Sequence, residues 1–198
     1  MDAALFSGEL VRLVAPDVEF AAEAFYRWVQ DSEYQRLLDN DPARMVSVKK
    51  FKEWMEKDFV EKEPTDFCLF MIRMLAEDRL IGFVGLDGIR WNHGDSYVGI
   101  GLGEREYWGK GYGTDAMRLA LRYAFDELNL HRVSLSVFEY NPRAIRSYEK
   151  AGFVVEGRAR QFLNRDGRRW DQIYMGILRE EWEKARGDWP STYRKESG

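Results

Sequence analysis

The sequence predicts an α/β fold, a three-layer α/β/α sandwich with helices on both faces of one mixed, strongly twisted sheet. Three observations predict it. Strand-like and helix-like runs interleave along the chain instead of separating into blocks. Three glycines at alternate positions, Gly109, Gly111 and Gly113, stand where the strand-like run Tyr97 to Leu102 gives way to a helical one. The 198 residues are 45% hydrophobic and 15% aromatic, which suits one domain with one core. That domain is expected over residues 1–186. A loosely held tail is expected over 187–198, polar apart from Trp189 and Tyr193.

Glu9 to Val14 alternates and predicts the first strand. Asp17 to Gln30 sets Phe20, Ala21, Ala24, Phe25 and Trp28 at helical spacing, with Asp17 at its start. Ser47 to Phe59 repeats the pattern at Phe51, Trp54, Met55 and Phe59, with Ser47 as cap. Between them Leu38 to Arg44 carries Asn-Asp-Pro and reads as loop. Strands follow over Phe67 to Leu75 and Arg79 to Gly88, joined by a turn at Glu77-Asp78, and then over Ser96 to Gly103. Asp115 to Leu128 aligns Met117, Leu121, Ala124, Phe125 and Leu128 on one helical face, with Asn129 as its stop. Arg132 to Phe138 is the next strand and Pro142 to Lys150 a helix. A hairpin pairs Phe153 to Phe162 with Arg169 to Leu178 through the turn Asn164-Arg165-Asp166-Gly167.

Composition excludes several classes of function. With 30 Lys and Arg against 34 Asp and Glu, the chain lacks the basic surface that extended nucleic-acid binding requires, so no nucleic-acid partner is expected. No stretch approaches the length of a membrane span, and Met1 to Phe6 lacks a charged leader followed by an apolar core. A cytoplasmic protein with no membrane partner is therefore expected. The two histidines, His93 and His131, show no metal-ligand spacing, so no metal is expected. The single cysteine, Cys68, lies in a strand-like run and reads as a small core residue.

The segment Tyr107-Trp108-Gly109-Lys110-Gly111-Tyr112-Gly113-Thr114 carries the chemistry. Alternate glycines permit positive φ and let an anion approach main-chain N–H groups, and the helix behind them adds its unpaired first-turn donors. The spacing is not that of a nucleotide-triphosphate loop, and Thr114 stands where the dinucleotide fingerprint has its third glycine. Downstream, after a second strand-like run, comes Asn141-Pro142-Arg143-Ala144-Ile145-Arg146-Ser147-Tyr148-Glu149-Lys150-Ala151-Gly152-Phe153. Asn141 is a natural helix cap and Pro142 a natural first residue. Asn141 and Tyr148 are seven residues apart, 700° of helical rotation, and so share nearly one face.

In this order and separation the two segments resemble motifs A and B of the Gcn5-related N-acetyltransferases, the GNAT superfamily, in its spermidine and ribosomal-protein N-acetyltransferase branch. The similarity runs from about Ile81 to Trp182. The superfamily pattern is [QR]-x-x-G-x-[GA]. Here Trp108 takes the first position, as in the ribosomal-protein-like branch, and is assigned a backbone or packing role.

The resemblance implies a GNAT-type sandwich and acetyl-CoA as co-substrate, its pyrophosphate held by N–H groups of Gly109, Lys110, Gly111, Tyr112, Gly113 and Thr114. It implies that the pantetheine arm pairs with Ile100, Gly101 and Leu102, one N–H of which polarises the thioester carbonyl, a contribution of about 3 kcal/mol. Gly99 and Gly101 would then spare the arm from crowding. Asn141 would contact the same arm, Tyr148 would aim its hydroxyl at the sulfur, and the two-helix region after the first strand would shape the acceptor pocket. The expected acceptor is a small-molecule or peptide amine: a protein N-terminus, a polyamine, or an amine-bearing antibiotic or metabolite. Asp87, Asp95, Glu104 or water are candidates for the base. Oligomeric state stays open, with a homodimer among the expectations. The competing classes are a non-catalytic acyl-CoA-binding sensor and a phosphate-binding interaction domain.

Overall fold

The computed structural model describes residues 5–57 and 66–193. Seven strands, β1 (Val11–Val14), β2 (Cys68–Met74), β3 (Leu80–Arg90), β4 (Asp95–Leu102), β5 (Arg132–Phe138), β6 (Val154–Arg165) and β7 (Arg168–Leu178), form one sheet in the order β1-β2-β3-β4-β5-β7-β6. The helices are α1 (Val18–Trp28), α2 (Ser32–Leu38), α3 (Val48–Met55), α4 (Tyr112–Arg122), α5 (Pro142–Lys150) and α6 (Arg179–Gly187). Neighbouring strands are antiparallel except β4 and β5, which run parallel because α4 carries the chain back between them.

The period-two alternation of the strands divides their side chains between two cores. Leu69, Met71 and Phe83 join Ala21, Phe25, Trp28 and Met55 beneath α1 to α3. On the other side Ile72, Ile81, Val84 and Leu86 join Ala116, Leu119, Phe125 and Trp182 of α4, the turn after it and α6. The three-layer expectation holds.

Local chemistry sets most boundaries where the sequence places them. Asp17 accepts from the N–H groups of Glu19 and Phe20 at 3.1 and 3.3 Å, and Ser47 from Lys50 at 3.2 Å. Asn129, at φ 53°, ends the helical segment that follows α4. The hairpin turns on Asp166 and Gly167, at φ 53° and 72°, the two positive-φ residues that a tight hairpin favours.

Other boundaries differ. Helix α4 starts at Tyr112, three residues before Asp115, because Gly111 at φ 95° forms its cap. From Tyr123 to Glu127 the helix continues as a π turn. Helices α2 and α6 lie where hydrophobic spacing predicts no element. Each buries one large residue, Tyr34 and Trp182, too little for a periodic signal. Cys68 is half-buried, and burial pushes its thiol up from the usual value.

The loose tail expected from Gly187 is corrected as far as Tyr193. Trp189 and Tyr193 are 3% and 0% exposed, and the Tyr193 hydroxyl donates to Asp115. The Asp115 carboxylate, itself buried, also accepts from the N–H groups of Glu9, Leu10 and Val11 at 3.2, 2.8 and 2.9 Å. Four donors converge on one side chain in the first turn of α4. Residues 194–198 and Phe59 lie outside the described residues. Among the described residues no helix is long and apolar enough to cross a membrane.

Candidate active site

Strands β4 and β5 pair at only three positions, Asp95 with Arg132, Ser96 with Val133 and Tyr97 with Ser134. Beyond them the strands part. On its other edge β4 stays paired with β3, from Val98 opposite Leu86 to Leu102 opposite Gly82. From Val98 onward the β5-facing edge of β4 therefore has no strand partner, and a cleft of about 320 Å³ opens between the two strands.

The glycine loop closes one end of this cleft. Gly109 and Gly111 take φ 74° and 95°, and no side chain caps the N–H groups at the start of α4. Uncapped N–H groups of this kind, with the positive end of the helix dipole, could hold an anion. Gly109, Gly111, Gly113 and Thr114 line the cleft. Lys110 and Tyr112 do not: Lys110 is exposed, and Tyr112 stands edge-on to Tyr107 at 5.4 Å. The Thr114 and Ser147 hydroxyls, 2.8 Å apart, tie α4 to α5.

Trp108 lies in the wall. Its indole N–H donates to the Leu102 carbonyl at 2.7 Å, pinning the end of β4, while the Arg143 guanidinium stacks 4.0 Å over the ring. Burial draws the Arg143 pKa down from its ordinary value. On α5, Asn141 accepts from the Ala144 N–H at 3.2 Å, so its capping role is real, and it lines the cleft together with Tyr148. The surrounding protein pushes the Tyr148 phenol up to about 12, so it stays protonated.

Ile100, Gly101 and Leu102 form the β4 wall. The reason for glycine at 101 differs from the expected one. A Cβ there would stand 2.7 Å from the Phe83 ring and 3.0 Å from the Tyr34 hydroxyl, so the protein's own rings require glycine. At Gly99 a Cβ would meet nothing within 4 Å.

None of Asp87, Asp95 and Glu104 lines the cleft. Asp95 sits at the paired start of β4, where the Arg90 guanidinium holds its carboxyl below the usual range. Glu104 accepts from the Trp28 indole at 3.3 Å and pairs with Arg27 and Arg79 at 3.5 and 3.3 Å. Asp87 is exposed on β3.

Several lining residues escaped the sequence. Arg143, Arg146, Ser147 and Lys150 belong to the quoted α5 segment, but at 2, 5, 6 and 9 positions from Asn141 they fall away from the face it shares with Tyr148, so helical spacing gave no sign of them. Tyr34 comes from α2, and its only sequence signal is Asp31, which caps the helix by accepting from Glu33 and Tyr34 at 2.9 and 3.2 Å. Arg105, just before the glycine loop, forms an ion pair with that same Asp31. At the far end of α2, Arg165 of the β6–β7 hairpin donates to the carbonyls of Arg36, Asp39, Asn40 and Asp41 and to the Tyr140 hydroxyl.

The acetyltransferase (GNAT) domain model matches residues 11–154. The chain belongs to the GNAT acetyltransferase family. Among its relatives, the probable N-acetyltransferase YjcK of Bacillus subtilis (strain 168) is 36% identical over 69% of this chain and 72% of its own length. The spermidine N(1)-acetyltransferase of Vibrio cholerae is 36% identical over 54% of this chain and 61% of its own. The crystal structure of spermidine N-acetyltransferase from Vibrio cholerae in complex with CoA and spermine superposes with a TM-score of 0.76 at 25% identity, covering 87% of this chain and 98% of that one. Acetyl transfer to an amine, from acetyl-CoA, is the activity that goes with this membership.

Proposed function

We propose that this chain is an acetyl-CoA-dependent N-acetyltransferase in which a primary amine attacks the thioester directly within the β4–β5 cleft. The observation that carries this reading is the meeting, in one cleft, of the unpartnered β4 edge, the positive-φ glycine loop at the start of α4 and the Tyr148 phenol. The pyrophosphate would lie on the N–H groups from Gly109 to Thr114, with Arg143, Arg146 and Lys150 adding positive charge. The pantetheine arm would extend along Ile100 to Leu102 and past Asn141. Trp108 supports this site by fixing the Leu102 carbonyl and the Arg143 guanidinium, in keeping with a packing role.

In the reaction the amine lone pair forms the C–N bond, the carbonyl pair moves onto oxygen, and collapse expels the CoA thiolate while the nitrogen gives its proton to solvent. Tyr148 stays protonated and donates a hydrogen bond to the leaving sulfur. With no candidate carboxylate in the cleft, the amine enters already neutral or loses its proton through water. For a group of pKa near 10.4 the neutral form at pH 7.5 costs about 4 kcal/mol; for an α-amino group near 7.8 it costs under about 1 kcal/mol. The amine named for the Vibrio cholerae relatives is spermidine, which makes polyamines the first acceptors to test beside peptides with free N-termini. Mass spectrometry of such a panel after incubation with acetyl-CoA, alongside a thiol-release assay, tests the proposal. CoA binding without thiol release for any amine would instead identify an acyl-CoA sensor.

A further inference from the structure

We infer that Tyr34 is a further catalytic residue, whose phenol donates a hydrogen bond to the acyl carbonyl oxygen from the α2 side of the cleft; this rests on the proposed placement of the thioester beside β4. Tyr34 is 3% exposed, and among the described residues its hydroxyl has no hydrogen-bond partner. A buried polar group left in that state is a net cost to the fold, and such groups are kept where a ligand completes them.

The hydroxyl faces a place where an acyl group would fit. It lies 3.0 Å from where a Cβ of Gly101 would be, and both residues line the cleft. Gly101 faces β3, in step with Gly103, whose N–H donates to Ile81, so it is the N–H groups of its neighbours Ile100 and Leu102 that point to the edge β5 leaves bare. A carbonyl oxygen near Gly101 would thus have a main-chain donor on one side and the Tyr34 phenol on the other.

The placement of this ring is built in. Asp31 caps the helix that carries it, and Arg105, seven residues before the α4 helix, is ion-paired to the same carboxylate. The Arg105 guanidinium also lies 5.6 Å from the Trp108 ring centre, so α2 and the glycine loop are fixed to one another. Burial raises the Tyr34 pKa well above its ordinary value, with no anion contributing. The group is therefore a neutral donor at every working pH and cannot be the base.

As the C–N bond forms and the carbonyl pair moves onto oxygen, charge grows where Tyr34 donates. The phenol keeps its proton throughout. When the carbonyl re-forms and the C–S bond breaks, the hydrogen bond weakens again. A donor that strengthens only in the transition state changes kcat and leaves ground-state binding of the CoA portion alone.

The test is Tyr34→Phe, which keeps the ring. Expected are a kcat lowered about ten- to a hundred-fold, an unchanged Kd for CoA, a Tm equal to or above that of the parent, and a higher carbonyl stretching frequency for bound ¹³C-labelled acetyl-CoA. A kcat within twofold of the parent would overturn the inference, as would a fall in kcat with an unchanged stretching frequency. A lowered Tm would mark the hydroxyl as structural and overturn it as well. If the parent protein itself fails to bind CoA in calorimetry, the proposed cofactor site falls, and Tyr34 with it. If CoA binds equally to both proteins and Tyr34→Phe keeps full turnover, only the Tyr34 assignment fails.

Discussion

Replacing Tyr148 with Phe isolates one hydroxyl, because the ring that packs 6.1 Å from Phe153 is kept. The magnitude follows from the acidity that the cleft imposes. A thiol leaves with a pKa near 8.5, whereas the Tyr148 phenol is pushed up to about 12, so complete proton transfer to the departing thiolate is uphill by about 5 kcal/mol. Tyr148 therefore stabilises the leaving sulfur by hydrogen bonding alone. A hydrogen bond to a charged group contributes about 1.5–3 kcal/mol, which sets the loss in kcat for Tyr148→Phe at roughly ten- to 150-fold with acetyl-CoA affinity unchanged. The sign of the pH dependence is also fixed. A raised pKa means that the protonated, useful form persists up to about pH 12, so Tyr148 contributes no alkaline limb between pH 6 and 10. Steady-state thiol release at saturating substrates across that range measures both quantities. Unchanged turnover, or an alkaline limb near pH 8 to 9 that disappears in Tyr148→Phe, would refute the reasoning.

Gly111→Ala forces a side chain onto φ 95° and should destabilise by about 1–2 kcal/mol while weakening CoA binding at least tenfold; calorimetry with CoA and urea melts separate the two effects. Asp115→Ala strands the N–H groups of Glu9, Leu10 and Val11 and the Tyr193 hydroxyl, and should lower stability by about 3 kcal/mol or more in urea melts. Glu104→Gln keeps the shape of a side chain already engaged by Trp28, Arg27 and Arg79, so kcat should stay within threefold; a fall of a hundredfold would restore Glu104 as a base.

The legible parts of the sequence are those whose physics is local. The alternate glycines announced a positive-φ loop because few other residues tolerate it, and Asn141-Pro142 marked the start of α5 through cap and ring geometry. The long strands showed themselves by alternation. What stayed hidden depends on distant partners. Helix α2 is seven residues long and buries only Tyr34, so its place beside Gly101 arises from Asp31 meeting Arg105, 74 positions away. Asp115 looked like a helix-start carboxylate, and nothing near it in sequence indicates that it collects β1 and Tyr193. Trp189 and Tyr193 sit among polar residues and read as tail, yet they pack on the core cluster of α4 and α6.

The grip of Arg165 on four consecutive-region carbonyls at the end of α2 bears on how such an enzyme could be re-engineered. Grafting a relative's α2 alone would leave that guanidinium facing a foreign backbone, and grafting the hairpin alone would strip those carbonyls of their donor. The two segments, more than a hundred positions apart, would therefore have to be transplanted together for either to keep its shape.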